Sequence, residues 1–398
     1  MRSLIATCLT VLFASTGGAA AVTPLDPPAG PDAFAPQLVA TTDGVAMTWL
    51  EKVAGEATGA SEHRVRFARF AGGAWSTPVT LVESDALFAN WADTPGVAAA
   101  GDGALLAWWL ERNGESTYAY GVRVARSTDG GAHWTPLGWL HDDASPSEHG
   151  FVSMAPESRG ARAFWLDGRA TLAGRAMTLR TARVDQAVAA SALVDEAVCD
   201  CCSTAAVVLG DAALVAYRDR TEGEIRDVRV AAVRAGAAVT SSPAGADGWR
   251  IEGCPVNGPA LAAGGGRVAV AWFGAPGDRG RVAAAFSADG GATFSPPLVV
   301  DAAQPIGRVA LAALADGDFA LAWHARAGDH AEIRIVRLTG EGSGAPLVLA
   351  VTAGGRRSGF ARLAPLADGR LLAAWTEAGE GPTRLRAAAL RADELPHP

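Results

Sequence analysis

The sequence predicts an all-β chain, a β-propeller of four-stranded antiparallel blades, on three observations. A two-strand pattern ending in an aromatic residue recurs along the chain at a near-constant period. Alternating apolar and polar strands follow each copy, and helical periodicity is almost absent. The aromatic positions are Trp49, Trp109, Trp165, Tyr217, Trp272, Trp323 and Trp375, which lie 51 to 60 residues apart. Seven copies predict seven blades, with six as the alternative count. The aromatics read as packing between blades, because a propeller needs bulky side chains where its sheets meet face to face.

The elements follow in chain order. Arg2, the apolar run Leu4–Ala14 and the small residues Ala19-Ala20-Ala21 read as a signal peptide cleaved near Ala21. The run is too short to span a bilayer as a helix. The mature chain from Val22 onward is expected to be one propeller domain over residues 22–398, periplasmic or secreted. Val22–Leu25 is placed to supply the outer strand that the last repeat lacks. Each repeat then gives an inner strand, a second strand ending at the aromatic, and a third strand such as His63–Phe70 or Arg281–Ser287. A fourth follows, such as Thr77–Val82.

Composition narrows function. Hydrophobic residues make up 49% and charged residues 19%, which supports a large core and argues against disorder. The net charge of −8 excludes a general nucleic-acid role, which needs a basic face for phosphates. Lys52 is the sole lysine, so arginine is the default base and an arginine cluster carries less information than usual. Cleavage would leave Cys199, Cys201, Cys202 and Cys254. In an oxidising compartment an even number suggests disulfides, Cys201–Cys202 with Cys199–Cys254 being one pairing. Thiolates this dense also suit Cu(I) or Zn(II), and redox-active thiols are the third reading.

In a propeller, the loops entering the inner strands and those joining second to third strands converge at one end of the channel. Here those loops hold all four mature cysteines, with Asp93, His149, Asp167, Arg169, Arg218, Asp219, Arg220, Glu224, Asn257, Arg308 and Arg357. This end is the expected working face. Arg218, Asp219, Arg220, Asp200, Asn257 and His149 are its candidate ligand-binding residues. The alternating signs across Arg218–Asp227 also fit a loop that satisfies its own charge. His149 and His324 read as isolated histidines.

Two segments carry a family resemblance. Ser127-Thr-Asp129-Gly-Gly131-Ala-His-Trp134 and Ser287-Ala-Asp289-Gly-Gly291-Ala-Thr-Phe294 resemble the Asp-box pattern S-x-D-x-G-x-T-W of sialidase-like (BNR repeat) propellers. Such boxes are turns between third and fourth strands, in which Asp accepts backbone N–H groups and Gly supplies positive φ. Sialidases have six blades. The resemblance implies three arginines clamping a carboxylate, a Tyr nucleophile activated by Glu, and an Asp acid/base. Asp93, Arg169, Arg218, Asp219, Glu224, Arg308 and Arg357 are the candidates for such roles. The family's F/Y-R-I-P motif is missing; Phe34-Ala-Pro-Gln37 stands there. Tyr217 occupies a packing position. The expected function is therefore an exported, monomeric, non-catalytic propeller that binds a glycan, an anionic small molecule, a partner protein or a soft metal at its cysteine- and arginine-bearing end. The alternative is an exo-glycosidase acting on sialylated or related anionic glycans.

Overall fold

The computed structural model describes residues 22–53 and 62–398; the signal-peptide reading lies outside them. Its strands form seven sheets. In chain order the blades span residues 33–84, 96–139, 149–198, 205–245, 260–301, 305–352 and 362–391. Pairing within every blade is antiparallel, and helical geometry among the described residues is confined to single 3-10 turns. No helix among them is long and apolar enough to cross a membrane. The count is seven, as the aromatic period predicts.

The ring closes through the N-terminus. Thr23–Pro24 pairs with Arg384–Arg391, placing Thr23 opposite Ala389. The Leu25 carbonyl accepts the Trp75 indole N–H at 2.7 Å, and Asp26 pairs with Arg386 at 2.7 Å. The last blade thus takes its outer strand from the start of the chain, which ties the two ends of the ring together.

The aromatic repeat is core. All seven residues are at most 8% exposed. A buried indole is stabilised further when its N–H finds an acceptor, which Trp109 Nε1 does not. Trp49 donates to Glu51 at 2.8 Å and Trp165 to Asp167 at 2.9 Å, each two residues along the same strand. Trp272 donates to Asp247 and Trp323 to Asp301, carboxylates at the trailing edge of the preceding blade. Tyr217 donates to Asp195 in the same manner. The repeat therefore links neighbouring blades by hydrogen bonds as well as by packing.

The two turns that resemble each other in sequence match in hydrogen bonding. Ser127 Oγ donates to Asp129 at 2.8 Å and accepts Gly131 N–H at 2.8 Å; Ser287 does the same with Asp289 and Gly291 at 2.8 and 2.9 Å. Asp129 and Asp289 each accept the backbone N–H four residues on. Gly130 and Gly131 have φ of 72° and 93°, the left-handed region that a Cβ would oppose. Trp134 packs edge-on against Phe67 of the preceding blade at 5.2 Å. These turns sit between third and fourth strands and build the fold.

Candidate functional site

The inner strands enclose a central cavity of about 320 Å³, to which every blade contributes, with Gln37, Val97, Ser153, Thr204, Pro259, Val309 and Arg362 among the lining. At one end the chain adopts strained backbone. Ala35, Phe151, Val256 and Arg308, each entering an inner strand, have φ of 55°, 53°, 47° and 57°. Non-glycine residues there cost on the order of 1 kcal/mol or more each, and β-branched Val256 is the sharpest outlier. Neighbouring loops hold three of these N–H groups. Asp93 Oδ1 accepts Phe151 at 2.8 Å, Asn257 Oδ1 accepts Arg308 at 2.7 Å and Thr376 Oγ1 accepts Ala35 at 3.1 Å. Asp93 and Asn257 thus brace this end of the channel.

The four cysteines meet here, on the loops entering blades 4 and 5. Cys199 and Cys202 are buried, Cys201 is nearly so, and Cys254 is exposed; all four are free thiols. The Cys199 sulfur lies 3.4 Å from that of Cys202 and 3.9 Å from that of Cys201. Cys199, Cys201 and Cys202 present sulfurs within 4.8 Å of one another, and Asp200, Cys201 and Cys254 present ligand atoms within the same limit. The sequence pairing of Cys199 with Cys254 is not the one the fold juxtaposes: Cys199 faces Cys202, and Cys254 faces Cys201.

Electrostatics single out Cys199. Its hydrogen bonding with Cys201 and Cys202, with the charge of Arg218, holds its thiol well below the usual range. Arg226 Nη1 donates to its sulfur at 3.2 Å. Its hydrogen bond with Cys199 pushes Cys201 up, and burial pushes Cys202 up. Around this core Arg226 pairs with Glu224 at 2.5 Å and Arg220 with Glu224 at 2.9 Å, while Asp200 lies 3.5 Å from Arg226 and 3.8 Å from Arg220. The alternating loop is internally satisfied, as its signs suggest. Asp219 accepts the Arg220 N–H, and burial raises its carboxyl.

Each candidate arginine is tied to acceptors within the protein. Arg218 is 2% exposed. It donates to the carbonyls of Asn257 at 2.8 Å, Phe273 at 2.7 Å and Arg226 at 2.5 Å, so it joins blades 4 and 5 and has little donor capacity left for a ligand. Arg169 is held by Asp167 and Asp142 at 2.7 and 2.8 Å. Arg308 donates to Ser358 at 2.9 Å and to the carbonyls of Gly355 and Gly359, and stacks on Trp91 at 5.0 Å. Arg357, exposed, caps the carbonyls of Gly379 and Gly381. Among the described residues these four share no hydrogen-bond acceptor. Arg218, expected among the ligand-binding residues, is placed by these carbonyls as a bolt between blades 4 and 5.

Two groupings escaped the sequence. Tyr120, 1% exposed and stacked on Phe88 at 4.0 Å, lies with its hydroxyl 2.8 Å from Asp93 and 2.7 Å from Glu148. A phenol carries one proton, so one of the two carboxyls must be protonated for both contacts to be hydrogen bonds. Burial pushes Asp93 up to about 8 and Glu148 up to about 7. His149 is not isolated. It is fully buried, stacked on His141 at 3.8 Å, and lies 3.1 Å from Asp143 and 3.6 Å from Asp167. His141 is pushed down to about 4 by burial and by its neighbour. His324 is buried with neither ring nitrogen paired. No spacing rule links Tyr120 to Glu148, and only the packing of adjacent blades brings them together.

Fold and site together define a seven-bladed propeller that carries a rim of thiols. No protein-family model and no curated protein matches the sequence. Among solved structures, the chain is similar to a protein of unknown function from Dyadobacter fermentans. That match has a TM-score of 0.52 at 15% identity and covers 93% of this chain and 98% of that one. It is also similar to a Hadza microbial sialidase, at TM-score 0.52 and 16% identity, covering 85% and 75%. The fold is that of a sialidase-like β-propeller.

Proposed function

We propose that this protein is an exported binding propeller whose Cys199, Cys201 and Cys202 hold a soft metal, Cu(I), at the junction of blades 4 and 5. One observation carries the reading: three sulfurs, two of them buried, lie close together beside two guanidinium groups. A metal–sulfur bond of about 2.3 Å puts the sulfurs of a four-coordinate site roughly 3.8 Å and of a three-coordinate site roughly 4.0 Å apart, so closure needs shifts of about half an ångström or less at most contacts. The 3.4 and 3.9 Å separations at Cys199 are near those values without large movement. Soft thiolates favour Cu(I) and Zn(II) over hard cations. A structural Zn(II) site asks for four ligands around one ion. Here the fourth thiol, Cys254, shares a ligand cluster only with Cys201 and Asp200, which favours three-coordinate Cu(I). Arg226 and Arg218 would offset the negative charge that three thiolates carry beyond the metal's own. Export, proposed from residues 2–21, puts the site outside the cytoplasm. The test is metal analysis of chain purified and reconstituted without oxygen, with Cys199→Ser alongside. The reading expects about one Cu(I) per chain and its loss in the variant.

A second reading, hydrolysis of sialylated or related anionic glycans, draws on the Tyr120–Glu148 contact beside Asp93. The inaccessibility of Tyr120 and the protein acceptors that already hold Arg169, Arg218, Arg308 and Arg357 weigh against it. A fluorogenic sialoside assay decides: turnover abolished by Tyr120→Phe would support hydrolysis, and no turnover would remove it.

A further inference from the structure

We infer that Cys201 is the pivot of a two-position path that passes Cu(I) from an exposed outer triad, Asp200–Cys201–Cys254, to the buried inner triad, Cys199–Cys201–Cys202. The inference rests on the Cu(I) reading above and adds a direction, a receiving position and a class of partner. Four observations converge on it. The two ligand clusters share one residue, Cys201. They differ in exposure: Cys254 is exposed and Asp200 half-exposed, while Cys199 and Cys202 are buried. A cleft of about 350 Å³ opens onto the outer triad, lined by Asp200, Arg220, Glu224, Arg226, Glu252 and Cys254. Finally, Asp200 Oδ1 is buried and accepts no hydrogen bond, its charged neighbour being Arg226 at 3.5 Å, so it keeps a lone pair for a metal.

The ligand chemistry sets the direction. The outer triad offers two sulfurs and a carboxylate, and the inner one offers three sulfurs. Cu(I) prefers soft thiolates to hard oxygen, so the inner position binds more tightly. Because Cys201 belongs to both, the metal need never be released between them. Arg226 spans the path, with Nη1 3.2 Å from the Cys199 sulfur and 3.5 Å from Asp200 Oδ1. One guanidinium therefore faces a ligand of each triad and can balance charge on either side. A cleft of this size admits a small thiol or an extended side chain, so the donor fitted by the site is a Cu(I)–thiolate complex.

The steps balance. A donor thiolate–copper bond breaks as copper bonds to the sulfurs of Cys254 and Cys201 and to the Asp200 carboxylate. Protons from those two thiols go to the departing donor thiolate and to water. The copper–Cys254 and copper–Asp200 bonds then break as copper bonds to Cys199 and Cys202, and of the protons those cysteines release one passes to the Cys254 sulfur and the rest to water. Copper remains Cu(I) throughout, and no electron is exchanged.

The test uses the full mature chain under anaerobic conditions. Cu(I)–glutathione is the donor, and near-ultraviolet thiolate-to-copper absorbance is followed by stopped flow. Equilibrium affinity is measured separately by competition with a chromogenic Cu(I) chelator. Cys254→Ser should slow loading about tenfold, more than it weakens final binding, because association and dissociation respond to different contacts. Asp200→Asn should slow loading in the same direction. Cys199→Ser should do the reverse, keeping fast capture but losing about a hundredfold in final affinity. Loading of Cys254→Ser at the wild-type rate overturns the path. So does a loss of affinity in Cys254→Ser equal to that in Cys199→Ser, which would mean one four-thiolate site. Wild-type chain that takes no Cu(I) from either donor or chelator removes the metal reading itself, and the path with it.

Discussion

Asp93→Asn should change how stability depends on pH, and the structure fixes the sign. Asp93 is held near 8 in the folded chain, while an unfolded aspartate titrates near 4, so between those values the folded state carries one proton more. Stability from this group is full below about pH 4 and declines by about 1.4 kcal/mol per pH unit until pH 8. Glu148, near 7 when folded, adds a second decline that ends about one unit lower. Two histidines act the other way. His141 near 4 and His324 near 3 are neutral where unfolded histidine, near 6.5, is still protonated, so their contribution rises with pH and levels off above about 6.5. The wild-type profile mixes these slopes. The difference between variant and wild type cancels the histidines. The introduced amide can still accept the Phe151 N–H and donate to Tyr120, which then donates to Glu148, but it binds no proton. From pH 5.5 to 7.5 the variant should gain about 2.7 kcal/mol relative to wild type. For a chain of this size that is a Tm difference of about 3 °C. The assay is thermal unfolding of both proteins at matched ionic strength across that range. Parallel curves for the two proteins would refute the shared-proton account.

Other outcomes follow from the same contacts. Arg218→Met should cost about 3 kcal/mol or more, because it leaves three buried carbonyls without a donor, and urea unfolding checks it. Gly150→Ala should destabilise by about 2 kcal/mol or more, since a Cβ there would sit 1.8 Å from Asp93 Oδ2, and a fall in Tm reads it. Removal of residues 22–26 should lower Tm by several degrees, on the order of 3 kcal/mol, by taking the outer strand from the last blade. Asp129→Ala should cost about 1 kcal/mol, since water replaces the acceptor of the exposed His133 N–H but the buried Ser127 hydroxyl loses its own, and a small fall in Tm reads it.

The fold was legible because its signal is periodic. Trp49 through Trp375 mark second strands in register, and each is buried for the same reason. The closing strand at Thr23–Pro24 was legible because the last repeat ends one strand short. The cysteine end was legible from loop order, since loops entering adjacent blades must lie side by side. The site's internal wiring was not. Arg218 looks like a ligand residue in a charged loop, yet its partners are backbone carbonyls of Arg226, Asn257 and Phe273, which sequence patterns do not encode. Tyr120 lies 28 residues from Glu148 and is joined to it only by the packing of one blade on the next. His141 and His149 stack for the same reason. The division of the cysteines into two triads depends on loop conformation, in which Val256 at φ 47° follows Cys254 closely. Strained backbone of that kind is invisible to propensity.

The most direct test of the central claim is thiol counting with metal analysis on chain purified without oxygen, then loaded with Cu(I). The metal-free chain should show four alkylatable cysteines. After loading it should hold about one Cu(I), with Cys199, Cys201 and Cys202 protected from alkylation and Cys254 still modified. A chain with no free thiols and no metal, its cysteines joined as Cys199–Cys202 and Cys201–Cys254, would contradict the account.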